Sequence, residues 1–367
     1  MKHRLKVLLL VVLAIGMLVG NSVAKPVAPG LKLGVLVSAS GPLWFTAAFE
    51  KSAIQLAVAD ARDKDLANVT VIYDDAGDSE VEAKLAMQRL KAKKVDAIVA
   101  PLETDSAARI AKYNVENPVP IIAPSALAEN VSSPIQNKNW FFRLASTSTQ
   151  DGSALAAYIS KTNPDLVVIV TDPDDYSKQV SKMINLGLTF RGFRVQQYGI
   201  SDYKRIRQSR PSAFVLVSLE KSIDFFNEMS DWVDDQQSGY LVSGNLANYS
   251  AYPWAKVLSG FKALLASENV STQFKNRLID QMNRPALLNS SNSNLFGLAY
   301  RSYQLVNLLV SSARETKDLR NTLASAKNEN GPYFDSAGYF SQQGYALFRY
   351  GNEGMYSQVG FLGPNSP

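Results

Sequence analysis

The sequence predicts an α/β protein built from two doubly wound lobes. Short apolar runs rich in β-branched residues alternate with longer amphipathic stretches, and this alternation occurs twice, over 31–124 and over 166–242. Strands this apolar are typical of parallel sheets that are covered by helices on both faces. The length of 367 residues exceeds the usual size of one hydrophobic core and also favours two domains.

The strands and helices follow from the spacing of the apolar residues. The predicted strands are the apolar runs 33–37, 69–73, 97–100, 120–123, 166–171, 194–198, 213–217 and 239–242. The predicted helices have apolar residues spaced three and four apart: 46–62, 79–93, 105–114, 150–162, 176–190 and 222–232. In the second of these helices, Val81, Leu85, Met87 and Leu90 are expected to share the buried face.

The remainder of the chain has a different pattern. Residues 254–312 are predicted to be mostly helical, with a loop rich in Asn and Ser near 285–293. Strand-like alternation returns in 337–340 and in 346–350, next to turns that contain glycine.

The first 24 residues have the pattern of a secretory signal peptide. Basic residues precede an uninterrupted apolar run over 7–19, which is too short to span a membrane. Ser22-Val23-Ala24 then supplies small residues at the positions that a signal peptidase reads. An N-terminal membrane anchor is the alternative. We expect export to the periplasm and cleavage after Ala24.

Composition excludes several classes of function. The signal peptide holds three of the 38 Lys and Arg residues, so the mature chain has 35 against 33 acidic residues, a net charge of +2. Without a polybasic block, no nucleic-acid partner is expected. The chain has no cysteine, and its one histidine, His3, lies in the signal peptide. Thiol nucleophiles, Ser-His-Asp triads, Cys/His zinc sites and haem ligation are therefore excluded, and we expect neither a cofactor nor an enzyme.

The loops at the carboxyl ends of the predicted strands are where an open parallel sheet binds its ligand. The first such loop contains only Gly41, so it is neither a dinucleotide fingerprint nor a Walker loop. Ser40 and the amides of the next helix could bind a carboxylate, or Ser40-Gly41-Pro42 could merely cap that helix. Trp44 and Tyr176 are loop aromatics, which suit the wall of a small-molecule cleft.

Acidic residues at strand ends allow more than one interpretation. Asp74, Asp75 and Asp78 are spaced unlike the ligands of an EF-hand, and we interpret them, like Asp172–Asp175, as acids at helix starts. Glu103 and Glu220 lie directly at strand ends. They could form the carboxylate pair of a glycosidase, bind a cationic ligand group, or lie in solvent.

Six segments together resemble a known family. They are "LKLGVLVSASGP", "VIYDDAGDSEVEAKLAMQRL", "VDAIVAPLETDSAARIA", "PIIAPSAL", "FFRLASTSTQDGSALAAYI" and "VVIVTDPDDYSKQVSKMI". In this order they resemble the type I periplasmic binding proteins, in the branch of the Leu/Ile/Val receptors of ABC importers. The resemblance implies two Rossmann-like lobes joined by three crossovers, with a ligand cleft between them. We expect 25–144 and 249–330 to form the N-terminal lobe, and 145–248 and 331–367 the C-terminal lobe.

The resemblance also implies roles for individual residues. Thr104 would hold an amino acid's carboxylate through its hydroxyl, with the backbone of Ser125 and Ala126 contributing. Tyr176 would help to cover the ligand, and Trp44 lies near the family's first-loop aromatic.

Two departures from the family pattern concern specificity. Leu127 stands where the receptors often have Thr. Around Asn245 the acid that pairs with the ligand's ammonium is missing, and Glu220 or Glu103 would have to replace it.

The function that follows is that of an extracytoplasmic solute-binding protein. It would capture a small polar ligand, an amino acid or a carboxylate-like molecule, by hinge closure and deliver it to an ABC permease as a monomer. The alternative is a regulatory or sensor subunit of the same fold that binds a ligand or a partner protein and has no role in transport.

The N-terminal pattern generates the first prediction. Protein isolated from the cell envelope should begin at Lys25, because the apolar run is too short to remain as an anchor. N-terminal sequencing measures this directly. A chain that still begins at Met1 and stays with the membrane fraction would contradict it.

Overall fold

The computed structural model describes residues 30–37, 44–64, 68–77, 79–102, 104–114, 117–124, 140–218, 221–236, 238–242, 255–266, 270–284, 293–315, 318–328, 331–335, 338–341, 344–351 and 356–362. The predicted signal peptide lies outside these residues. No helix among them has the length and hydropathy needed to cross a membrane.

Strands and helices alternate through most of the described chain. The strands are β1 Gly30–Val37, β2 Asn68–Asp75, β3 Ala97–Val99, β4 Ile121–Ala123, β5 Phe141–Arg143, β6 Leu166–Thr171, β7 Arg194–Gly199, β8 Ala213–Val217, β9 Gly239–Val242, β10 Lys262–Ala266, β11 Lys327–Asn328, β12 Gly331–Pro332, β13 Tyr345–Tyr350 and β14 Tyr356–Leu362. The helices are α1 Trp44–Asp63, α2 Glu80–Ala92, α3 Thr104–Lys112, α4 Ser148–Ser160, α5 Asp175–Phe190, α6 Tyr203–Gln208, α7 Ser222–Asp234, α8 Thr272–Met282, α9 Ser293–Glu315 and α10 Leu319–Ser325, with a 3₁₀ turn at Ala255–Leu258.

The strands form two main sheets. The first has the order β2-β1-β3-β4-β5, and all of its pairings are parallel. The second has the order β14-β13-β10-β9-β8-β6-β7, in which β13 and β14 run antiparallel at one edge. The predicted fold class, two α/β lobes with parallel sheets, is confirmed.

The core explains why the strands are so uniformly apolar. In β1, Leu33 and Val35 pack into one buried cluster, whereas Leu36 packs into another on the opposite face of the sheet. In β6, Val168 and Ile169 divide in the same way between two clusters of the second sheet. Because both faces of each sheet are covered, the central positions of these strands favour apolar side chains on both faces.

All eight predicted strands and all six predicted helices are present, and two predictions need correction. The described part of 254–312 is mostly helical, as predicted, but β10 also lies within it and pairs with β9 and β13. That pairing puts 262–266 in the second sheet, whereas the predicted boundaries assigned it to the first lobe. In α2 the buried residues are Ala83, Ala86, Met87 and Leu90, while Val81 and Leu85 are exposed.

The chain passes three times between the sheets. It leaves the first sheet after β5 and returns after β10, since α8 packs against α1 through Phe274 and Phe49. Phe334 still packs on Phe142 of β5, with ring centroids 5.0 Å apart, and the chain then crosses again to β13. The predicted lobe boundary at 331 thus precedes a residue that contacts the first sheet. The boundary between 144 and 145 stays a prediction.

Gly338 provides a test of the packing at the third crossover. Its φ is +83°, and a Cβ atom there would lie 2.4 Å from the carbonyl oxygen of Phe141. Gly192 has a similar φ of +86° with open space around it. Both Ala variants meet the same backbone strain, but only Gly338→Ala adds a collision with backbone. It should therefore lower the free energy of unfolding by about 1–3 kcal/mol more than Gly192→Ala does. Urea denaturation measures both, and equal losses would contradict the described path of 338–340.

Candidate functional site

The site begins where the chain leaves the first sheet. Arg143, the last residue of β5, is fully buried, and its Nη2 donates to the carbonyl oxygen of Ser146 at 2.8 Å. Its guanidinium lies 4.9 Å from the ring centroid of Tyr339. The backbone N–H of Arg143 donates to Gly338, and its carbonyl accepts from Phe340, both at 2.9 Å. These contacts join the end of β5 to the segment that precedes the third crossover.

A second buried arginine holds the same turn from a helix of the first lobe. Arg301 of α9 is 1% exposed, and its Nη1 donates to the carbonyl oxygen of Leu144 at 2.9 Å. Hydrogen bonds that involve a charged partner contribute roughly 1.5–3 kcal/mol each. The path of residues 144–146 is thus fixed from two sides.

The first turn of α4 follows at once and is set by a capping box. The Thr147 hydroxyl accepts from the N–H of Gln150 at 3.0 Å, and the Gln150 side chain accepts from the N–H of Thr147 at 2.8 Å. This is the reciprocal arrangement that Thr-x-x-Gln favours at a helix start. Gln150 also donates to the carbonyl oxygen of Phe340 at 3.3 Å, which ties α4 to the third crossover.

Asp151, in this first turn, lies at the centre of a polar cluster. Tyr176 donates its hydroxyl to Oδ2 of Asp151 at 2.7 Å, and Tyr345 donates its hydroxyl to Oδ1 at 3.1 Å. Both tyrosines are buried, whereas Asp151 keeps partial contact with solvent. The three residues come from α4, α5 and β13, and we call them the Asp151 cluster.

Burial dominates the electrostatics of the cluster. It raises the pKa of Asp151 above its ordinary value, while the hydroxyls of Ser146, Tyr176 and Tyr345 and the charge on Arg143 act in the opposite direction. The pKa values of Tyr176 and Tyr345 are raised well above the ordinary value by burial and then by the neighbouring Asp151 charge. Both phenols therefore stay protonated and act as donors to the carboxylate.

The cluster occupies the edge at which both sheets end their parallel strands. Asp151 follows the carboxyl end of β5, and Tyr176 follows that of β6. Tyr345 begins an antiparallel strand and pairs with Ala266, the last residue of β10, so it lies at the same edge of the second sheet. Ligands of open α/β sheets bind beyond this edge.

Other acids near strand ends have structural partners. Asp174 caps α5 by accepting from the N–H of Ser177 at 2.8 Å, as predicted. Asp172 differs from the prediction, because its Oδ2 accepts from the hydroxyl of Ser218 at 2.6 Å and from the N–H of Lys221 at 3.2 Å. It joins the ends of β6 and β8 to the start of α7 rather than capping α5.

The acids around the start of α2 are likewise occupied. Glu82 completes a capping box with Ser79, and Asp74 forms a two-pronged ion pair with Arg89 at 2.7 Å. Within the described ranges, no group of three or more acidic or histidine side chains could hold a metal ion.

The structure describes three of the nine predicted site residues. Trp44 and Thr104 are the first residues of α1 and α3, as expected for loops that follow β1 and β3. Tyr176 lies in the Asp151 cluster. The other predicted residues lie outside the described part of the chain: Ser40, Glu103, Ser125, Ala126, Glu220 and Asn245. Leu127 and Asp78 lie outside it as well.

Sequence reasoning missed Asp151, Tyr345 and Arg143. The only local signal was an acid directly after the Thr-x-x-Gln capping box, and an acid in a first helical turn is common. Tyr345 is separated from Asp151 by 194 positions. No spacing rule connects residues that far apart.

The family is shown by a sequence model of periplasmic binding proteins, which matches residues 30–217, just over half of the 367 residues. The chain belongs to the periplasmic binding protein family. The resemblance to periplasmic binding proteins that was inferred from the six segments is thereby confirmed at the level of the family. A search among curated protein sequences returned no match.

Solved structures of other periplasmic binding proteins share the fold over nearly the whole chain. The branched-chain amino acid transporter substrate-binding protein LivJ of Streptococcus pneumoniae, in complex with isoleucine, is 19% identical with a TM-score of 0.69, covering 91% of this chain and 99% of its own. A periplasmic ligand-binding protein of a branched-chain amino acid ABC transporter from Burkholderia xenovorans is 15% identical with a TM-score of 0.74, covering 92% and 96%. A solute-binding protein from Rhodopseudomonas palustris, in complex with p-hydroxybenzoic acid, is 15% identical with a TM-score of 0.71, covering 92% and 98%.

The raised pKa of Asp151 generates a prediction about stability. Because the folded protein binds this proton more tightly than the unfolded chain does, the stability that Asp151 contributes falls as the pH rises through the raised pKa. The Asp151→Asn variant lacks this loss. It should therefore gain stability relative to the wild type from about pH 4 upwards. Denaturant unfolding of the ligand-free proteins at several pH values measures the difference.

Asp74 provides a control, because the pKa of its carboxyl is shifted in the opposite direction to that of Asp151. Arg89 lowers the pKa of Asp74, so its contribution is present above the ordinary pKa and is lost as the pH falls. Asp74→Asn should lose stability relative to the wild type over the same rise in pH. If both variants followed the same trend, the assigned environment of Asp151 would be wrong.

Proposed function

We propose that this periplasmic binding protein captures a small polar solute between its two lobes and delivers it to the membrane permease of an ABC importer. The observation that carries the proposal is the position of the Asp151 cluster. It gathers polar groups, with aromatic rings around them, at the edge where the parallel strands of both sheets end. A few placed polar groups within an apolar wall are the usual composition of a small-molecule site.

The ligands of the similar structures support a small carboxylic acid as the solute. Isoleucine, leucine and p-hydroxybenzoic acid are bound by proteins of this fold. Each has a carboxylate and a compact apolar or aromatic body. In this chain, α1 and α3 begin at the corresponding ends of β1 and β3. The predicted roles of Ser40, Thr104, Ser125 and Ala126 in binding the carboxylate belong to this proposal, because helix starts attract anions.

Transport is favoured over a sensor role by what these structures have in common. Proteins named as parts of ABC transporters recur among them, and the chain matches them over about nine-tenths of its length. The proposal therefore includes export to the periplasm, a monomer in solution and no catalytic role. A partner that senses rather than transports is the alternative outcome of the test below.

Closure on the ligand generates the next prediction. A bound solute that contacts both lobes should raise the melting temperature and reduce the radius of gyration. Amino acids and small aromatic acids are the compounds to screen by thermal shift, and solution scattering then measures compaction. If no compound changes the melting temperature or the radius of gyration, transport of such a solute is contradicted, and a role as a sensor subunit is favoured.

A matched pair of variants shows whether the predicted carboxylate site takes part. Thr104→Ala should weaken binding of any compound that passes the screen, because its hydroxyl is expected to hold the carboxylate. Thr189→Ala changes an exposed threonine on α5 and should leave the affinity unchanged. If both variants kept the wild-type affinity, the carboxylate would have to bind elsewhere.

A further inference from the structure

Positive charge is concentrated at the outer edge of the second sheet. Residues 191–210 hold six basic side chains and one acid, a net charge of +5. The expected mature chain has a net charge of only +2, so the rest of it carries −3. The sequence shows no polybasic block, because the basic residues are spread along this segment. The fold places them on and around β7 and α6, at one end of the second sheet.

A groove between β7 and α6 is lined by arginines. It has a volume of about 400 Å³, and Arg205, Arg210, Gln196 and Tyr198 are among the residues that line it. The guanidinium of Arg205 lies 5.2 Å from the ring centroid of Tyr198. Arg194 precedes Gln196 by two positions on β7, so the alternation of side chains along a strand puts it on the same face. Three arginines thus surround one groove.

The three arginines are exposed and, among the residues that the structure describes, none of them forms an ion pair. Arg207 of the same helix α6 shows the contrast, because it does not line the groove and bonds to Asp231 of α7 at 2.6 Å. Like charges that are gathered without a counter-charge repel one another. The groove therefore favours an anionic partner.

The strand beside the groove offers its backbone as well. β7 is the last strand of the second sheet and, within the described ranges, pairs only with β6. The N–H and C=O groups that point away from β6 are a template for a further strand. One charged residue on an edge strand is a common protection against such pairing, and Arg194 could provide it. Protection does not account for Arg205 and Arg210, which come from α6 and the residues after it.

The shape of the groove distinguishes between classes of anion. Four of its seven lining side chains are exposed, whereas a small-molecule site buries most of its ligand. A membrane surface is disfavoured, because the exposed apolar residues nearby, Leu186 and Phe190, belong to α5. That helix packs on the opposite face of the sheet from α6. An extended chain with acidic side chains fits both the open groove and the free edge.

We propose that β7, with Arg194, Arg205 and Arg210, is a docking edge for an acidic, extended segment of a partner protein, which adds to β7 as a further strand. Hydrogen bonds between the two backbones would hold the segment. The arginines would select acids at alternate positions, because only every second side chain of the added strand faces the groove.

The docking edge is separate from the proposed solute cleft. Leu166, the first residue of β6, lines the groove, which places the groove toward the amino ends of the parallel strands. The cleft lies beyond their carboxyl ends. A partner can therefore dock whether or not the cleft holds a solute, and the inference does not depend on the proposed function.

Three synthetic peptides test the proposal on the wild-type protein. The first alternates Glu and Thr, the second has the same composition with its Glu residues consecutive, and the third repeats the first with all of its peptide nitrogens methylated. Fluorescence anisotropy of labelled peptides measures each affinity. We expect the alternating peptide to bind about tenfold more tightly than the other two, because only it can form a strand with all of its acids toward the arginines.

Hydrogen exchange locates the bound peptide. The backbone amides of β7 should exchange more slowly when the alternating peptide is present. Those of β14, the opposite edge strand of the same sheet, have no charged side chain among them and should be unchanged. Slower exchange at β14 but not at β7 would overturn the proposal.

Variants of α6 and its neighbour assign the selectivity to the groove. Arg205→Gln and Arg210→Gln should each weaken the alternating peptide up to about five-fold, the contribution of one exposed ion pair. Arg205→Lys keeps the charge and should retain most of the affinity. Arg207→Gln removes the same charge from the same helix but outside the groove, and should leave the affinity unchanged.

Other outcomes would overturn the docking edge while solute capture in the cleft stands. Equal binding of all three peptides would show only a general attraction of charges. Equal losses in the groove variants and in Arg207→Gln would show the same. If no peptide bound, but vesicles of anionic phospholipid bound in a manner that required Arg205 and Arg210, the surface would face a membrane. Binding of neither peptides nor vesicles would also contradict the proposal. The peptide comparison does not depend on whether a variant folds.

Discussion

Two buried arginines fix the point at which the chain leaves the first sheet, and the rest of the site depends on them. Arg143 bonds to the carbonyl of Ser146, and Arg301 to that of Leu144. Since α4 starts at Ser148, the direction of these few residues sets the position of its first turn, and therefore of Asp151. Hydrogen bonds from a buried charged donor are costly to lose. The turn is therefore held from both sides.

The residues of the site belong to elements of both sheets. Asp151, Tyr176 and Tyr345 belong to elements that pack on the second sheet, whereas Arg143 ends a strand of the first. The tyrosines join the start of α5 and the start of β13 to α4, so the cluster would travel as one unit with its lobe. In the closure that we propose, rotation has to occur about the crossovers while the bonds of Arg143 persist.

The overall fold could be predicted because burial on both faces leaves a clear trace in the sequence. Runs such as 166–171 and 213–217 are apolar at nearly every position and coincide with β6 and β8. β10 was missed for a physical reason. Its residues, Lys-Ala-Leu-Leu-Ala, are good helix formers, and only pairing with β9 and β13 makes them a strand. β5 was missed because its three residues, Phe-Phe-Arg, include a charged side chain, whereas the equally short β3 and β4 are wholly apolar.

The site was less accessible to sequence reasoning, and Asp151 shows why. From the local sequence alone, an acid one residue after a Thr-x-x-Gln box belongs to the start of a helix, where its negative charge interacts favourably with the positive end of the helix dipole. The structure shows that this requirement is already met by Thr147 and Gln150. It also brings two tyrosines, one from 25 and one from 194 positions away, to the same carboxylate. Two donors and a partly open face are more than a helix start requires. This convergence of polar groups from three elements on one carboxylate is visible only in three dimensions.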